Sequence, residues 1–240
     1  MQIYSLFSPK IPILIPNQQT PVYFKAQSTE DVFENSKKEL KTKEEIIKYL
    51  IEQREEKLPK DEKTYLAFMK LSYCKENKYI RTRLVNGYKM EDYNFKFMNN
   101  IFKNKALGTN FTVYRGCSLA DFGYEHTNVN SIKDFYEKGK VVTIPTYIST
   151  SLDEDIAKTF PWHRKDKQKL LFKINLNPQT RGVYLDNMLS YREKKELFYD
   201  FDDEEEVFID RNLKVKMIDK YNTTDGYTVI EFDALGHAPY

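Results

Sequence analysis

This chain has little that would cross-link it, tether it or give it a metal. Only two of its 240 residues are cysteine, Cys74 and Cys117, too few for a disulfide framework and in keeping with free thiols in a reducing compartment. Three histidines, His126, His163 and His237, lie scattered without the spacing of a metal site, so each reads as a surface or loop residue and no metal is expected. No apolar run approaches the ~20 residues of a membrane span. The N-terminal stretch MQIYSLFSPKIPILIPNQQ is broken by Pro9, Pro12 and Pro16 and lacks a basic n-region. It is not read as a signal peptide, and localisation is left open. A strong charge of one sign is also missing: 38 basic against 36 acidic residues leave +2, which argues against a nucleic-acid binder. The patterns GxGxxG, GxxxxGK[ST] and GxSxG do not occur, which removes the usual signatures of dinucleotide-binding, P-loop and α/β-hydrolase folds.

Aromatic side chains are abundant, with 18 Tyr and 16 Phe. They can supply both core and stacking surface for a flat ring. Residues 1–27 read as an irregular lead-in, and 28–240 as one domain. Its helical part covers 28–105 and its mainly β part 106–240. Thr42-Lys-Glu-Glu45 is a capping box, followed by Ile46, Ile47, Leu50 and Ile51 on one face. Two further helices are expected from about Asp61 to Asn86 and over Met90–Lys103. After Gly108 come short β-rich runs: Phe111–Tyr114, Val141–Ser149, Leu170–Leu176, Gly182–Leu185, Glu205–Ile209, Leu213–Ile218 and Tyr227–Phe232. Helices first and strands afterwards predict an α+β fold with a mainly antiparallel sheet system.

Three stretches could carry chemistry. In Asp200–Asp210, DFDDEEEVFID, seven of eleven residues are acidic. Read as a strand with Val207 and Ile209 on the core face, it puts Glu204 and Glu206 together on the other side, about 6.8 Å apart, with Glu205 as plain strand. Paired carboxylates suit acid–base work or stabilisation of a cationic sugar centre; equally, an acidic edge blunts strand pairing. Tyr147-Ile-Ser-Thr-Ser151 ends a strand. Its hydroxyls can fix a neighbouring carboxylate, or Ser151 can cap a helix starting at Leu152. In Val113-Tyr-Arg-Gly-Cys117 the Arg115 fork can reach a phosphate while Gly116 lets backbone approach a ligand; Arg before Gly is also an ordinary surface pair.

Arg on an early strand, Ser-Thr-Ser on a middle one and Glu-x-Glu on a late one, in that order, resemble the arginine-type mono-ADP-ribosyltransferases, in particular their exoenzyme and binary-toxin branch. The resemblance runs from about Tyr73 to Leu235. Tyr73-Cys-Lys-Glu-Asn-Lys-Tyr-Ile-Arg81 is similar to the family's helical Y-x-x-I-N-x-Y-L-R segment, with Glu76 where Ile is usual. Gly182-Val-Tyr-Leu185 resembles the strand leading into its target-recognition loop. Thr146 departs from the polar amide of several toxin relatives, and the disulfides of the vertebrate branch are absent.

The resemblance implies two packed β-sheets forming an NAD cleft, preceded by helices. It implies no permanent cofactor, with NAD as substrate. Glu206 would stabilise the reacting ribose, and Ser149 would hold Glu206. Arg115 would bind the phosphates and Gly116 the nicotinamide amide, with Phe160 stacking near the ring. Arg164 or His163 would add a phosphate contact, and Tyr73 and Asn77 would help bind NAD. Glu204 would mark arginine as acceptor; Tyr199 and Phe201, in the loop Leu189–Asp203, would touch the target protein. A toxin of this kind would need a separate delivery chain or secretion system, and an immunity partner would fit the same picture. Two rival readings are an NAD glycohydrolase of the same fold and a non-catalytic docking module.

Overall fold

The structure is a computed structural model that describes residues 42–52, 105–122, 128–159, 169–185 and 205–239, together with Leu84, Asn86, Asn99, Phe102 and Lys103. Helix α1, Lys43–Glu52, starts at the expected capping box: the Glu45 amide donates to Thr42 Oγ1 at 3.2 Å and the Thr42 amide to Glu45 Oε2 at 3.2 Å. Ile46 and Leu50 are buried, Ile47 packs against the core, and Ile51 turns outward at 37% exposed. The lead-in and most of the two other expected helices lie outside the described residues, though Leu84, Asn99 and Phe102 are helical. A short helix α2, Val129–Phe135, has no counterpart among the expected elements. It is held by a capping box in which Asn128 Oδ1 accepts from the Ser131 amide and Ser131 Oγ accepts from the Asn128 amide.

Eight strands follow the expected order: β1 Phe111–Cys117, β2 Val141–Ile144, β3 Ile148–Ser151, β4 Lys169–Leu176, β5 Gly182–Tyr184, β6 Glu206–Ile209, β7 Leu213–Asn222 and β8 Tyr227–His237. A short helix α3, Glu154–Thr159, lies between β3 and β4. The single strand expected over Val141–Ser149 is two. Pro145 lacks an amide donor for a ladder, and its two sides go to different neighbours, β2 to β7 and β3 to β1 and β6. The order is β2-β7-β8-β4-β1-β3-β6-β5 in one eight-stranded sheet, so the expected two sheets are hydrogen-bonded into one. The join is narrow. β1 pairs with β4 along all seven residues but meets β3 only at Tyr114 and Ser151. All pairings are antiparallel except β4 with β8.

The near-continuous apolar run of β4 reflects this central place: Leu170, Leu171, Phe172, Ile174 and Leu176 are all buried. β7 instead alternates, with Leu213, Val215 and Met217 inside and Lys214 and Lys216 exposed. One cluster joins both arms of the sheet, taking Val113, Ile174, Val215 and Phe232 from one and Ile148, Val207, Ile209 and Tyr184 from the other, with Ile46 and Leu50 of α1.

His237 corrects its sequence reading as a surface or loop residue. It closes the end of β8: its Nε2 accepts from the Arg181 amide at 2.9 Å and its Nδ1 lies 2.9 Å from the Arg211 carbonyl. Those partners require a neutral ring with the proton on Nδ1. Burial, reinforced by the nearby Arg181 charge, pushes the imidazole down from 6.5 to about 4. The unfolded chain therefore takes up a proton near pH 6.5 that the folded chain refuses until about pH 4. Stability present above pH 6.5 is lost as pH falls through that window, by about 3 kcal/mol in full and about 2 kcal/mol by about pH 5. Urea midpoints at about pH 7 and about pH 5 should show this loss. His237→Gln, which can keep one donor and one acceptor there, should shrink it.

Candidate active site

β6 brings a charge into the sheet. All four of its residues are buried, including Glu206 at 1% exposed, and both Glu206 carboxylate oxygens are shielded from solvent. The register explains where that carboxylate lies. Ser151 pairs with Glu206 and Ser149 with Phe208, while Ile148 pairs with Ile209 and Thr150 with Val207. Directly paired residues share a face. Ile148, Val207 and Ile209 face the main core, and Thr150 anchors that side by donating from Oγ1 to the Val207 carbonyl at 2.6 Å. Glu206, Phe208, Ser149 and Ser151 therefore share the opposite face. Ser151 stands directly across from Glu206 and Ser149 diagonally, a separation of roughly 7 Å between Cα atoms.

On the far edge, β5 pairs Tyr184 with Val207, and the Leu185 amide donates to the Glu206 carbonyl at 2.7 Å. The Glu206 backbone is thus gripped from both sides. Phe208 packs in an aromatic trio with Tyr147 and Phe102, centroids 5.8–5.9 Å apart. These rings fix the same face two residues beyond Glu206. Burying a carboxylate in a strand costs free energy that an apolar side chain would not, so its presence points to function rather than folding.

Arg115 comes to this region from β1. Its Nη1 donates to the Ser149 carbonyl at 2.7 Å, which ties the Arg strand to the Ser-Thr-Ser strand. Gly116 follows it, opposite Leu171 of β4. Three stretches far apart in sequence, around Arg115, Ser149 and Glu206, thus lie on neighbouring strands in the order β1-β3-β6.

Two expectations are corrected here. Glu205 is not strand: its φ is 47°, a left-handed backbone that L-residues other than Asn and Asp rarely take. The strand begins at Glu206, and Glu204 lies outside the described residues. Nor does Ser151 cap a helix. α3 is capped by Asp153, whose Oδ1 accepts from the amides of Asp155 at 2.8 Å and Ile156 at 3.1 Å. Ser151 Oγ instead accepts from the Asp153 amide at 3.0 Å and so orients the cap.

Sequence reasoning missed an ion cluster beside Glu206. Lys43 Nζ lies 2.9 Å from Asp153 Oδ2 and 3.1 Å from Glu205 Oε1. The hydrogen bond to Asp153, then that to Glu205, raises the Lys43 ammonium above its ordinary range; the Lys43 bond in turn lowers the Asp153 carboxyl. One signal is present in the sequence: a lysine in the first turn of a helix opposes the helix dipole and needs a reason. The other expected site residues, Tyr73, Asn77, Phe160, His163, Arg164, Tyr199, Phe201 and Glu204, lie outside the described residues. Among the described residues, no group of three or more His, Cys, Asp or Glu is placed to hold a metal ion, and no helix is long and apolar enough to cross a membrane.

The fold is similar to that of several solved ADP-ribosyltransferases. An ADP-ribosyltransferase from Clostridium botulinum, solved in a triclinic form, is 20% identical with a TM-score of 0.57, covering 82% of this chain and 98% of its own. Plx2a, an ADP-ribosyltransferase toxin from Paenibacillus larvae, is 18% identical with a TM-score of 0.59, covering 80% and 96%. The ADP-ribosyltransferase Vis, solved with agmatine, is 16% identical with a TM-score of 0.50, covering 85% and 90%. At these identities the likeness establishes the fold. No curated protein matches significantly in sequence. The family model described as ADP-ribosyltransferase exoenzyme matches residues 33–237, a span that holds Arg115, Ser149 and Glu206. With most of its length matched, the chain belongs to the ADP-ribosyltransferase exoenzyme family, whose members use NAD as substrate.

Proposed function

We propose that this protein transfers ADP-ribose from NAD to an arginine of a target protein, and that it acts as a toxin or effector. The observation that carries the proposal is the buried Glu206 carboxylate, held across from the Ser-Thr-Ser strand to which Arg115 is tied. In the reaction the bond between the nicotinamide nitrogen and ribose C1′ breaks. The nicotinamide leaves as a neutral molecule with the bonding pair, so no acid has to protonate it. Positive charge builds on the ribose, and a fixed carboxylate in a water-poor site stabilises it far better than solvent could. Glu206 takes that role. Ser149 helps orient it and Arg115 binds the diphosphate through its planar fork, with Gly116 beside the nicotinamide amide. Phe160, Arg164, Tyr73 and Asn77 complete the NAD contacts.

An arginine acceptor stays protonated in water. Glu204 would orient its guanidinium and take up the proton released when nitrogen bonds to C1′, while Tyr199 and Phe201 would meet the target surface. Vis, of the same fold, has been solved with agmatine, a guanidinium compound, which supports a guanidinium acceptor in this architecture. The test separates two products. Glu204→Gln should lose transfer to arginine, by about 10²-fold or more, while keeping measurable NAD hydrolysis. Full transfer by this variant would overturn the role given to Glu204, and free ADP-ribose as the sole product of wild type would make the protein a hydrolase.

A further inference from the structure

Glu206 is only as well placed as the residue before it, and that residue is strained. Glu205 holds a left-handed backbone at φ 47°, which a glutamate keeps only when its surroundings impose it. Two contacts do so. The Leu152 amide donates to the Glu205 carbonyl at 3.1 Å, and Lys43 Nζ reaches Glu205 Oε1 at 3.1 Å. Glu205 Oε2 is buried and takes no hydrogen bond among the described residues, so the ammonium of Lys43 is the charge that compensates this carboxylate. The same ammonium meets Asp153 Oδ2 at 2.9 Å. Asp153 comes two residues after Ser151, and its amide donates to Ser151 Oγ. Lys43 therefore joins the residue that precedes β6 to the segment that follows β3, and these strands carry Glu206 and the two serines.

We propose that Lys43 is a positioning residue for the reaction: through Glu205 and Asp153 it fixes the start of β6 against the end of β3, and so the place of the Glu206 carboxylate relative to Ser149 and Ser151. This rests on the reading of Glu206 as the catalytic carboxylate. Lys43 acts on that carboxylate at one remove, through the backbone of the residues it clasps. Its position agrees with this. It sits in the first helical turn of α1, where a cation is disfavoured, between two carboxylates from elsewhere in the chain, with 37% of its side chain exposed. The pairs are partly buried, with the Asp153 and Glu205 side chains 28% and 19% exposed, so the clasp holds its segments in place, and a small displacement of a catalytic group is costly to rate.

The experiment compares wild type with Lys43→Met, Lys43→Arg, Glu205→Gln and, as a control, Lys48→Met. Lys48 forms an exposed pair with Glu52 on the same helix. Steady-state NAD cleavage by Lys43→Met should fall roughly tenfold or more in kcat, with KM for NAD within about twofold of wild type. Lys43→Arg should recover most of the loss, and adding Lys43→Met to Glu205→Gln should cost less than Lys43→Met costs in wild type, because the Lys43–Glu205 contact is common to both changes while the Lys43–Asp153 contact is not. Lys48→Met should behave as wild type. Amide exchange at Leu152 and Leu185, whose N–H groups bond to Glu205 and Glu206, reads the clasp without turnover. It should speed up in Lys43→Met and not in Lys48→Met. Unchanged kcat in Lys43→Met, or a loss that Lys43→Arg does not recover, overturns the proposal. A wild-type protein that leaves NAD intact would refute the activity reading; exchange at these two amides would then still decide the clasp, unchanged exchange counting against it.

Discussion

Glu206→Gln is expected to lower NAD cleavage by about 10²–10³-fold, the scale seen when one fixed electrostatic group is removed from a transition state, while leaving the fold as stable as wild type or more so. The two halves of this result have one cause. Glu206 is 1% exposed in a strand whose other members are Val207, Phe208 and Ile209. A charged oxygen there is costly to the folded state, and an isosteric amide removes the charge without opening a cavity. Activity and stability should move in opposite directions, as is common where a site is held against the preference of the fold. The measurement is kcat for NAD hydrolysis beside a thermal melt. Loss of activity together with a melting temperature lowered by roughly 10 °C would mean that the carboxylate supports structure, and the catalytic assignment would fail.

Asp210→Ala should do the reverse: destabilise strongly and leave the chemistry of folded molecules intact. Asp210 is 0% exposed; its Oδ2 takes the Arg181 Nε–H at 2.7 Å and its Oδ1 the Arg211 amide at 2.8 Å. Its own amide donates to the Arg181 carbonyl at 3.0 Å. Removing the carboxylate takes away the acceptor of the Arg181 Nε–H and of the Arg211 amide, beside a guanidinium whose side chain is 22% exposed and whose Nη2 is buried. Breaking one partner of a buried ion pair costs about 3–5 kcal/mol, or roughly 10 °C in melting temperature for a chain of this size. Asp210 lies at the opposite end of β6 from Glu206, so KM for NAD below the melting range should stay within about twofold of wild type. Asp210→Asn, which keeps an acceptor, should fall between. A melt unchanged by Asp210→Ala would show that the pair anchors nothing.

What can be read from the sequence is local chemistry. The Thr42–Glu45 box predicts the start of α1 because both its hydrogen bonds lie within one turn. The strands show themselves by β-branched and aromatic runs between turn residues, and the first half of β7 by the alternation of apolar residues with lysines over 213–217. The ordered set Arg115, Ser149 and Glu206 is legible as residues of an early, a middle and a late strand; that these strands are neighbours is visible only in the structure.

What cannot be read depends on partners distant in the chain. The parallel union of β4 with β8 joins residues far apart in sequence, such as Phe172 and Ile230, and no short-range pattern encodes it. Glu205 looks like a strand residue by composition; its left-handed backbone follows from Leu152 and Lys43, which come from two other segments. His237 looks like a loop residue because its partners, Arg181 and Arg211, are supplied by loops that β5 and β6 bring to it. Ser151 and Asp153 are both plausible caps, and only the geometry of the chain after β3 chooses Asp153.

Cleavage of NAD with Glu206, and transfer of its ADP-ribose to arginine, can be checked in one measurement. Wild type and Glu206→Gln are each incubated with biotinylated NAD and a cell lysate, and the modified sites are located by mass spectrometry. ADP-ribose should appear on arginine side chains with wild type and be lost with Glu206→Gln. Folded wild type that leaves NAD intact and labels nothing, or that labels only residues other than arginine, would contradict this chemistry.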